Sequence, residues 1–122
     1  MQWVLLCQLN ELALGQARGF DPFNKGLDSL FLIKLADRVL AYRDVCPHYG
    51  TTTLPWQKDA YLDASGQHIV CAAHGALFDL RTAECISGPC LGEALEAIRL
   101  DIQPDGNIWA LLEPENNNDG MY

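Results

Sequence analysis

The chain has 122 residues, of which 49% are hydrophobic and 20% charged, as expected for one globular domain. Its 16 acidic residues outnumber its 8 basic ones, giving a formal net charge of −8 at pH 7. This acidity disfavours nucleic acid as a partner and favours basic protein surfaces. No stretch approaches the roughly 18 apolar residues of a membrane helix, so we expect no membrane partner.

The first element is the apolar run in MQWVLLCQLNEL. No Lys or Arg precedes this run, and Asn10 and Glu11 follow too soon for a signal peptide. We interpret the run as a first β-strand and expect a cytoplasmic protein. The cysteine count of 5 is odd, which argues against a disulfide framework.

Short runs of Val, Leu, Ile, Tyr and Phe, broken by Gly, Asp, Asn and Pro, predict an all-β fold. We expect an antiparallel β sandwich or barrel, with hairpins at LADRV and QPDGN. The predicted strands cover residues 2–9, 29–35, 38–44, 69–72, 76–79, 84–86, 97–102 and 108–112.

Three further segments complete the organisation. GQARGFDPFNKG, between the first two predicted strands, is polar and rich in glycine and is predicted to be a loop. GEALEA, residues 92–97, is compatible with a short helical turn. Residues 114–122 are rich in Asn and acid and are predicted to be a flexible acidic tail, which leaves a single domain over residues 1–113.

Two five-residue motifs, CPHYG at 46–50 and CAAHG at 71–75, each hold one Cys, one His and a trailing Gly. Glycine eases the sharp turns that two ligand-bearing loops require. A zinc site is one alternative, but zinc fingers usually group Cys with Cys and His with His. Mixed pairs on two loops favour a binuclear cluster instead. The four candidate metal ligands are Cys46, His48, Cys71 and His74.

This arrangement resembles the Rieske 2Fe-2S family, in which two His replace two Cys on one iron. The resemblance extends to HGALFDLRTAECISGP, residues 74–89, which looks like the strand and proline-bearing loop that cover the cluster in family members. It implies a Rieske-like fold with a small cluster-binding subdomain over about residues 45–90. It also implies that Cys46 and Cys71 hold one iron while His48 and His74 hold the other.

Respiratory members of the family carry an extra Cys in each loop, which form a disulfide, and Ser and Tyr hydroxyls that donate to sulfur. Here Thr51 and Ala73 stand at the Cys positions, and Ala76 and Phe78 stand at the hydroxyl positions. Fewer donors to sulfur lower the reduction potential, so we expect a value of about −150 mV. This resembles the soluble ferredoxins that feed aromatic-ring dioxygenases.

An oxygenase active site would need a second, mononuclear iron held by two His and a carboxylate. Once His48 and His74 are assigned to the cluster, only His68 remains. We therefore predict a one-electron carrier, not an enzyme, whose partners are a flavin-dependent reductase and a terminal oxygenase or other acceptor protein. Two alternatives stay open: the Rieske-like small subunit of a larger reductase such as nitrite reductase, and a zinc-binding structural module.

The remaining candidate residues receive more ordinary interpretations. His68 is predicted to be a surface or hairpin residue. Cys7, Cys85 and Cys90 are predicted to be core or loop thiols, with an approach of Cys90 to the cluster as the lesser alternative. The tryptophans, which are Trp3, Trp56 and Trp109, are interpreted as packing residues. An apolar rim around the exposed imidazoles is expected from Tyr49, Gly50, Leu77 and Pro89.

Overall fold

A computed structural model describes residues 1–47, 54–72 and 75–113. These ranges contain β-strands and one short 3-10 helix at Leu9–Glu11. The strands are β1 Gln2–Gln8, β2 Ala17–Phe20, β3 Leu30–Lys34, β4 Val39–Arg43, β5 His68–Cys71, β6 Ala76–Asp79, β7 Cys85–Ser87, β8 Leu100–Ile102 and β9 Asn107–Leu112. All of their strand pairings are antiparallel, which confirms the predicted all-β class.

The strands form three sheets of three strands each, in the orders β1-β9-β8, β2-β3-β4 and β5-β6-β7. Both predicted hairpins are confirmed. At the β3–β4 turn the Leu35 N–H donates to the Arg38 carbonyl at 2.8 Å. At the β8–β9 turn Gly106 adopts a φ of +92°, a conformation that glycine reaches without a side-chain clash.

Strand β3 explains how the three sheets are layered. Its sequence is LFLIK, and its four apolar side chains are buried. Because successive side chains point to opposite faces of a strand, Leu30 and Leu32 join one core cluster while Phe31 and Ile33 join another. The β2-β3-β4 sheet is therefore the middle layer, covered on both faces.

The second of these clusters, here called the site-side core, connects the middle sheet with the β5-β6-β7 sheet. Both predicted sulfur ligands belong to it, as do two of the other cysteines. Its buried members are Phe31, Ile33, Tyr42, Cys46, Leu54, Tyr61, Ile69, Cys71, Ala76, Phe78, Ala83, Cys85, Cys90 and Leu95.

Strand β2, Ala17–Phe20, lies inside the segment that was predicted to be a loop, so that prediction is wrong for these four residues. The sequence ARGF lacks apolar alternation, and its strand conformation comes from pairing with β3, where Ala17 faces Ile33 and Phe20 faces Leu30. Tertiary pairing overrides the weak local preference here.

The helical turn expected at residues 92–97 is also absent from the structure, which describes this whole segment. The Glu93 carbonyl accepts a hydrogen bond from Cys85 N–H at 2.7 Å, and the Leu95 N–H donates to Ala83 at 2.9 Å. These backbone groups are engaged with the chain around β7, so they are not available for helical hydrogen bonds.

The interpretation of the tryptophans as packing residues holds only in part. Trp3 and Trp56 are 44% and 72% exposed, so it is wrong for both. Trp109 is half-buried on β9. Within the described ranges, no helix has the length and apolar character needed to cross a bilayer. The acidic segment 114–122 lies outside those ranges, and its predicted flexibility stays a prediction.

Candidate metal centre

The two cysteines of the paired motifs lie in equivalent places, at or just beyond the end of a strand. Cys46 follows β4 by three residues, and Cys71 is the last residue of β5. They are 1% and 0% exposed, respectively, and both belong to the site-side core. The fold therefore provides two thiol groups shielded from water, which are suitable ligands for a soft metal centre.

A tight turn follows Cys71 and leads into β6. Cys71 pairs with Ala76 across this turn, and the Gly75 N–H donates to the Cys71 carbonyl at 2.8 Å. Gly75 has a φ of +68°, in the left-handed region that side chains disfavour. The predicted role of Gly75 in easing this turn is confirmed.

The imidazole ligands predicted by the motifs, His48 and His74, lie outside the described residues, as do Tyr49, Gly50, Thr51 and Ala73. Within the ranges 1–47, 54–72 and 75–113, no three Cys, His, Asp or Glu side chains are grouped so as to hold a metal ion. No described imidazole or carboxylate thus completes a site with the two sulfurs, and the assignment of His48 and His74 stays a prediction.

Leu54 joins the two cysteine-bearing segments. Its backbone N–H donates to the Asp44 Oδ1 atom at 2.7 Å, and its carbonyl accepts from the Ala72 N–H at 2.8 Å. Asp44 lies two residues before Cys46, and Ala72 follows Cys71 directly. Two hydrogen bonds therefore connect the segment just before Cys46 to the residue just after Cys71. Sequence reasoning missed this link, here called the Asp44–Leu54–Ala72 link.

Asp44 is itself held by a second donor. The Tyr61 hydroxyl donates to its Oδ2 atom at 2.7 Å, and the Tyr61 ring stacks on Phe31 with centroids 4.0 Å apart. Burial raises the pKa of the Asp44 carboxyl, and the hydrogen bonds from Leu54 and Tyr61 act in the opposite direction. Burial also raises the pKa of Tyr61, so its phenol stays protonated and remains a donor.

The proline-bearing segment after β7 packs closely against β6. A Cβ atom at Gly88 would lie 2.8 Å from the Ala76 Cα atom, and the φ of Gly88 is +110°. Only glycine fits this approach. Of the two described members of the predicted apolar rim, Leu77 is half-buried and Pro89 is exposed.

The remaining cysteines and His68 match their predicted character. Cys7, Cys85 and Cys90 are buried, with Cys7 in the other core cluster. Burial is the main cause that raises the pKa of Cys90, followed by the hydrogen bond to Cys85, and the charge of Cys46 contributes as well. His68 begins β5, and its Nδ1 atom lies 3.0 Å from the Asp63 carboxylate.

A scan against protein-family models identifies the chain. Residues 2–103 match the model described as "Rieske [2Fe-2S] domain", which is most of the sequence. The chain belongs to the Rieske [2Fe-2S] family. Its cofactor is therefore a Rieske-type 2Fe-2S cluster, whose chemistry is one-electron transfer. No curated protein sequence matches this Rieske chain.

Solved structures share the fold at low sequence identity. A chain from the complex of reduced oxygenase and oxidised ferredoxin in carbazole 1,9a-dioxygenase is 24% identical, with a TM-score of 0.68 over 94% of this Rieske chain and 97% of that chain. The ferredoxin of carbazole 1,9a-dioxygenase from Nocardioides aromaticivorans IC177 is 22% identical, with a TM-score of 0.67 over 93% and 100%. A chain assigned as the small subunit of an NADH-dependent nitrite reductase from Mycobacterium tuberculosis is 20% identical, with a TM-score of 0.62 over 89% and 93%.

The described residues of this Rieske protein fit a cluster with sulfur ligands on its inner iron. Both sulfurs are buried in one core cluster, and Leu54 connects their segments by donating its N–H to the Asp44 carboxylate and accepting the Ala72 N–H. The chemistry of a buried thiolate pair matches the all-sulfur iron of the family's cluster.

Proposed function

We propose that this Rieske protein carries single electrons from a flavin-dependent reductase to the terminal oxygenase of an aromatic-ring dioxygenase system. Cys46 and Cys71 would hold the inner iron, and His48 and His74 the outer one. When bound, the cluster supplies one-electron ferric–ferrous chemistry. The observation that carries this proposal is the burial of both motif sulfurs in the site-side core, one three residues beyond β4 and the other at the end of β5.

A low reduction potential, which suits such a carrier, is supported by where the nearby hydroxyls point. Ala76 and Phe78, at the positions of the family's hydroxyl donors, are buried and apolar. The two tyrosines of the site-side core donate elsewhere: Tyr61 to Asp44, and Tyr42 to the carbonyls of Leu80 and Arg81 at 3.1 Å. With few donors to sulfur, the reduced cluster is less stabilised.

The count of histidines also supports a carrier over a complete oxygenase. The one histidine outside the two motifs, His68, contacts Asp63 on the β5 hairpin. A mononuclear iron site needs two imidazoles and a carboxylate.

A second candidate function is that of the Rieske-like subunit of a nitrite reductase. The likeness to the assigned small subunit from Mycobacterium tuberculosis favours it. Both functions use the same cluster, so the acceptor protein distinguishes them.

The test has two stages. The purified protein should contain iron and labile sulfide, and after reduction it should give a Rieske-type EPR signal, which a zinc module would not give. The reduced protein should then be mixed in a stopped-flow instrument with the terminal oxygenase of an aromatic-ring dioxygenase system and, separately, with a sirohaem nitrite reductase. Reoxidation by the oxygenase supports the first function, and reoxidation by the sirohaem enzyme alone overturns it in favour of the second.

A further inference from the structure

Two cysteines outside the paired motifs lie in direct contact. The Sγ atoms of Cys85 and Cys90 are 2.9 Å apart, which is about 0.9 Å longer than a covalent S–S bond. The two residues are 4% and 1% exposed. Cys85 begins β7, and Cys90 follows the turn at Gly88 and Pro89.

The backbone holds this contact in place. The Cys85 N–H donates to the Glu93 carbonyl at 2.7 Å, and the Glu93 N–H donates to the Cys90 carbonyl at 2.9 Å. Glu93 therefore connects the two cysteines through its own peptide groups. On the opposite side, Gly88 is pressed against Ala76 of β6, which limits movement of the turn. The two sulfurs are brought together by the fold, not by rotation of flexible side chains alone.

We propose that Cys85 and Cys90 are a dithiol site that hydrogen peroxide oxidises to an intramolecular disulfide. One thiol attacks the peroxide O–O bond and forms a sulfenic acid while one water leaves. The second thiol attacks that sulfur, forms the S–S bond and releases a second water. The two sulfurs together lose two electrons and two hydrogens, and the peroxide is reduced to water.

The disulfide would differ from the one that links the two cluster loops in respiratory members of the family. It closes a single turn, between β7 and the residue after Pro89, and it leaves both cluster-bearing segments unconnected by a covalent bond. Its consequence is a turn locked against β6. Burial restricts access to both sulfurs, so a small oxidant is the appropriate reactant. The inference does not depend on which partners the protein serves.

Trypsin digestion and mass spectrometry can test this site separately from the motif cysteines. Trypsin cuts after Lys and Arg, which places Cys85 and Cys90 in a different peptide from Cys46 and from Cys71. Cys85 and Cys90 share peptide 82–99, while Cys46 and Cys71 fall in peptides 44–58 and 59–81. The cluster-loaded protein is treated with hydrogen peroxide and quenched in acid with N-ethylmaleimide. We expect peptide 82–99 to be unlabelled and lighter by two hydrogens, and phosphine reduction to restore two labelled thiols.

Single-residue variants complete the test. Cys85→Ala should leave one labelled thiol in peptide 82–99, whereas Cys7→Ala, in the other core cluster, should keep the two-hydrogen loss. The wild-type measurement carries the proposal even where Cys85→Ala fails to fold. A peptide 82–99 that stays doubly labelled while methionine sulfoxide forms elsewhere in the chain would overturn it. Sulfinic or sulfonic acid on this peptide in place of the disulfide would do the same.

Discussion

The Tyr61 hydroxyl donates a 2.7 Å hydrogen bond to the buried carboxylate of Asp44, two residues before the predicted sulfur ligand Cys46. The other oxygen of this carboxylate accepts the Leu54 N–H, which starts the Asp44–Leu54–Ala72 link. The Tyr61 hydroxyl thus holds the carboxylate that is connected through Leu54 to the segment after Cys71. The predictions below concern this network, the ligands themselves and the turns around them.

Tyr61→Phe should weaken cluster retention as well as the fold. The change leaves a buried carboxylate oxygen without its donor, which costs about 2 kcal/mol in the free energy of unfolding. We expect faster loss of the visible absorbance of the cluster on mild heating. Tyr42→Phe is the matched control, because its hydroxyl donates to carbonyls of the β6–β7 turn. Equal rates of cluster loss in the two variants would contradict this role of Tyr61.

Gly19→Ala should destabilise the protein through a clash with the same network. A Cβ atom at this position would lie 2.5 Å from the Tyr61 Oη atom and would also press on the Asp28 carboxylate. Such overpacking costs about 3 kcal/mol, to be measured by urea unfolding.

Gly66→Ala provides the comparison for Gly19→Ala. Gly66 has a φ of +73° with open space around it, so alanine there adds backbone strain without a clash. We expect a cost of about 1 kcal/mol. If the two glycine variants lose equal stability, steric contact with Asp28 and Tyr61 is not the cause.

Cys46→Ala and Cys71→Ala should each abolish the cluster. Removing one sulfur donor leaves the inner iron without a complete ligand set. Iron and labile sulfide in the purified protein should fall to background, and the reduced protein should give no Rieske-type EPR signal. Cys7→Ala, a buried cysteine in the other core cluster, should keep both. A cluster retained in Cys71→Ala would refute the ligand assignment.

Asp79 should contribute stability that depends on pH. Hydrogen bonds from the Thr82 and Arg81 backbone N–H groups hold the pKa of its carboxyl below the usual value. Because the folded pKa is the lower one, this stabilisation is present above the unfolded carboxyl pKa and is lost as pH falls through the folded pKa. The gap in unfolding free energy between wild type and Asp79→Ala should therefore narrow below about pH 4.

Asp79→Asn serves as the control for this pH dependence, because it keeps an acceptor oxygen for the turn but does not titrate. It should lose less stability than Asp79→Ala at neutral pH. A gap between wild type and Asp79→Ala that stays constant from neutral to acid pH would rule out the proposed titration.

Most of the strand framework could be predicted from the sequence, because buried strands have apolar runs bounded by turn residues. The LFLI run of β3 and the Asp105–Gly106 turn are clear instances. Strand β2 was missed because Arg18 and Gly19 interrupt any apolar pattern, and its conformation depends on pairing with β3. The prediction of a helical turn at 92–97 was wrong for a related reason, because the backbone groups of this segment form hydrogen bonds with residues near β7.

The site divides in the same way. The two buried motif cysteines could be picked out as candidate sulfur ligands because Cys and His recur at matched positions before glycine, and their ligand role stays a prediction. The Asp44–Leu54–Ala72 link could not, since it runs through the backbone groups of Leu54 and Ala72, which no residue type reveals. The Cys85–Cys90 contact was equally hidden, because it depends on where Glu93 places the turn.

The close approach of Gly88 to Ala76 restricts how this protein can be retuned. Restoring a sulfur donor by Ala76→Ser is the natural way to engineer a stronger oxidant from it. The Gly88 backbone already occupies the space beside position 76. A Cβ atom added at Gly88 would lie 3.0 Å from the Ala76 Cβ atom. Adjusting the reduction potential by substitution at position 76 is therefore coupled to Gly88, twelve residues further along the chain, which must stay glycine.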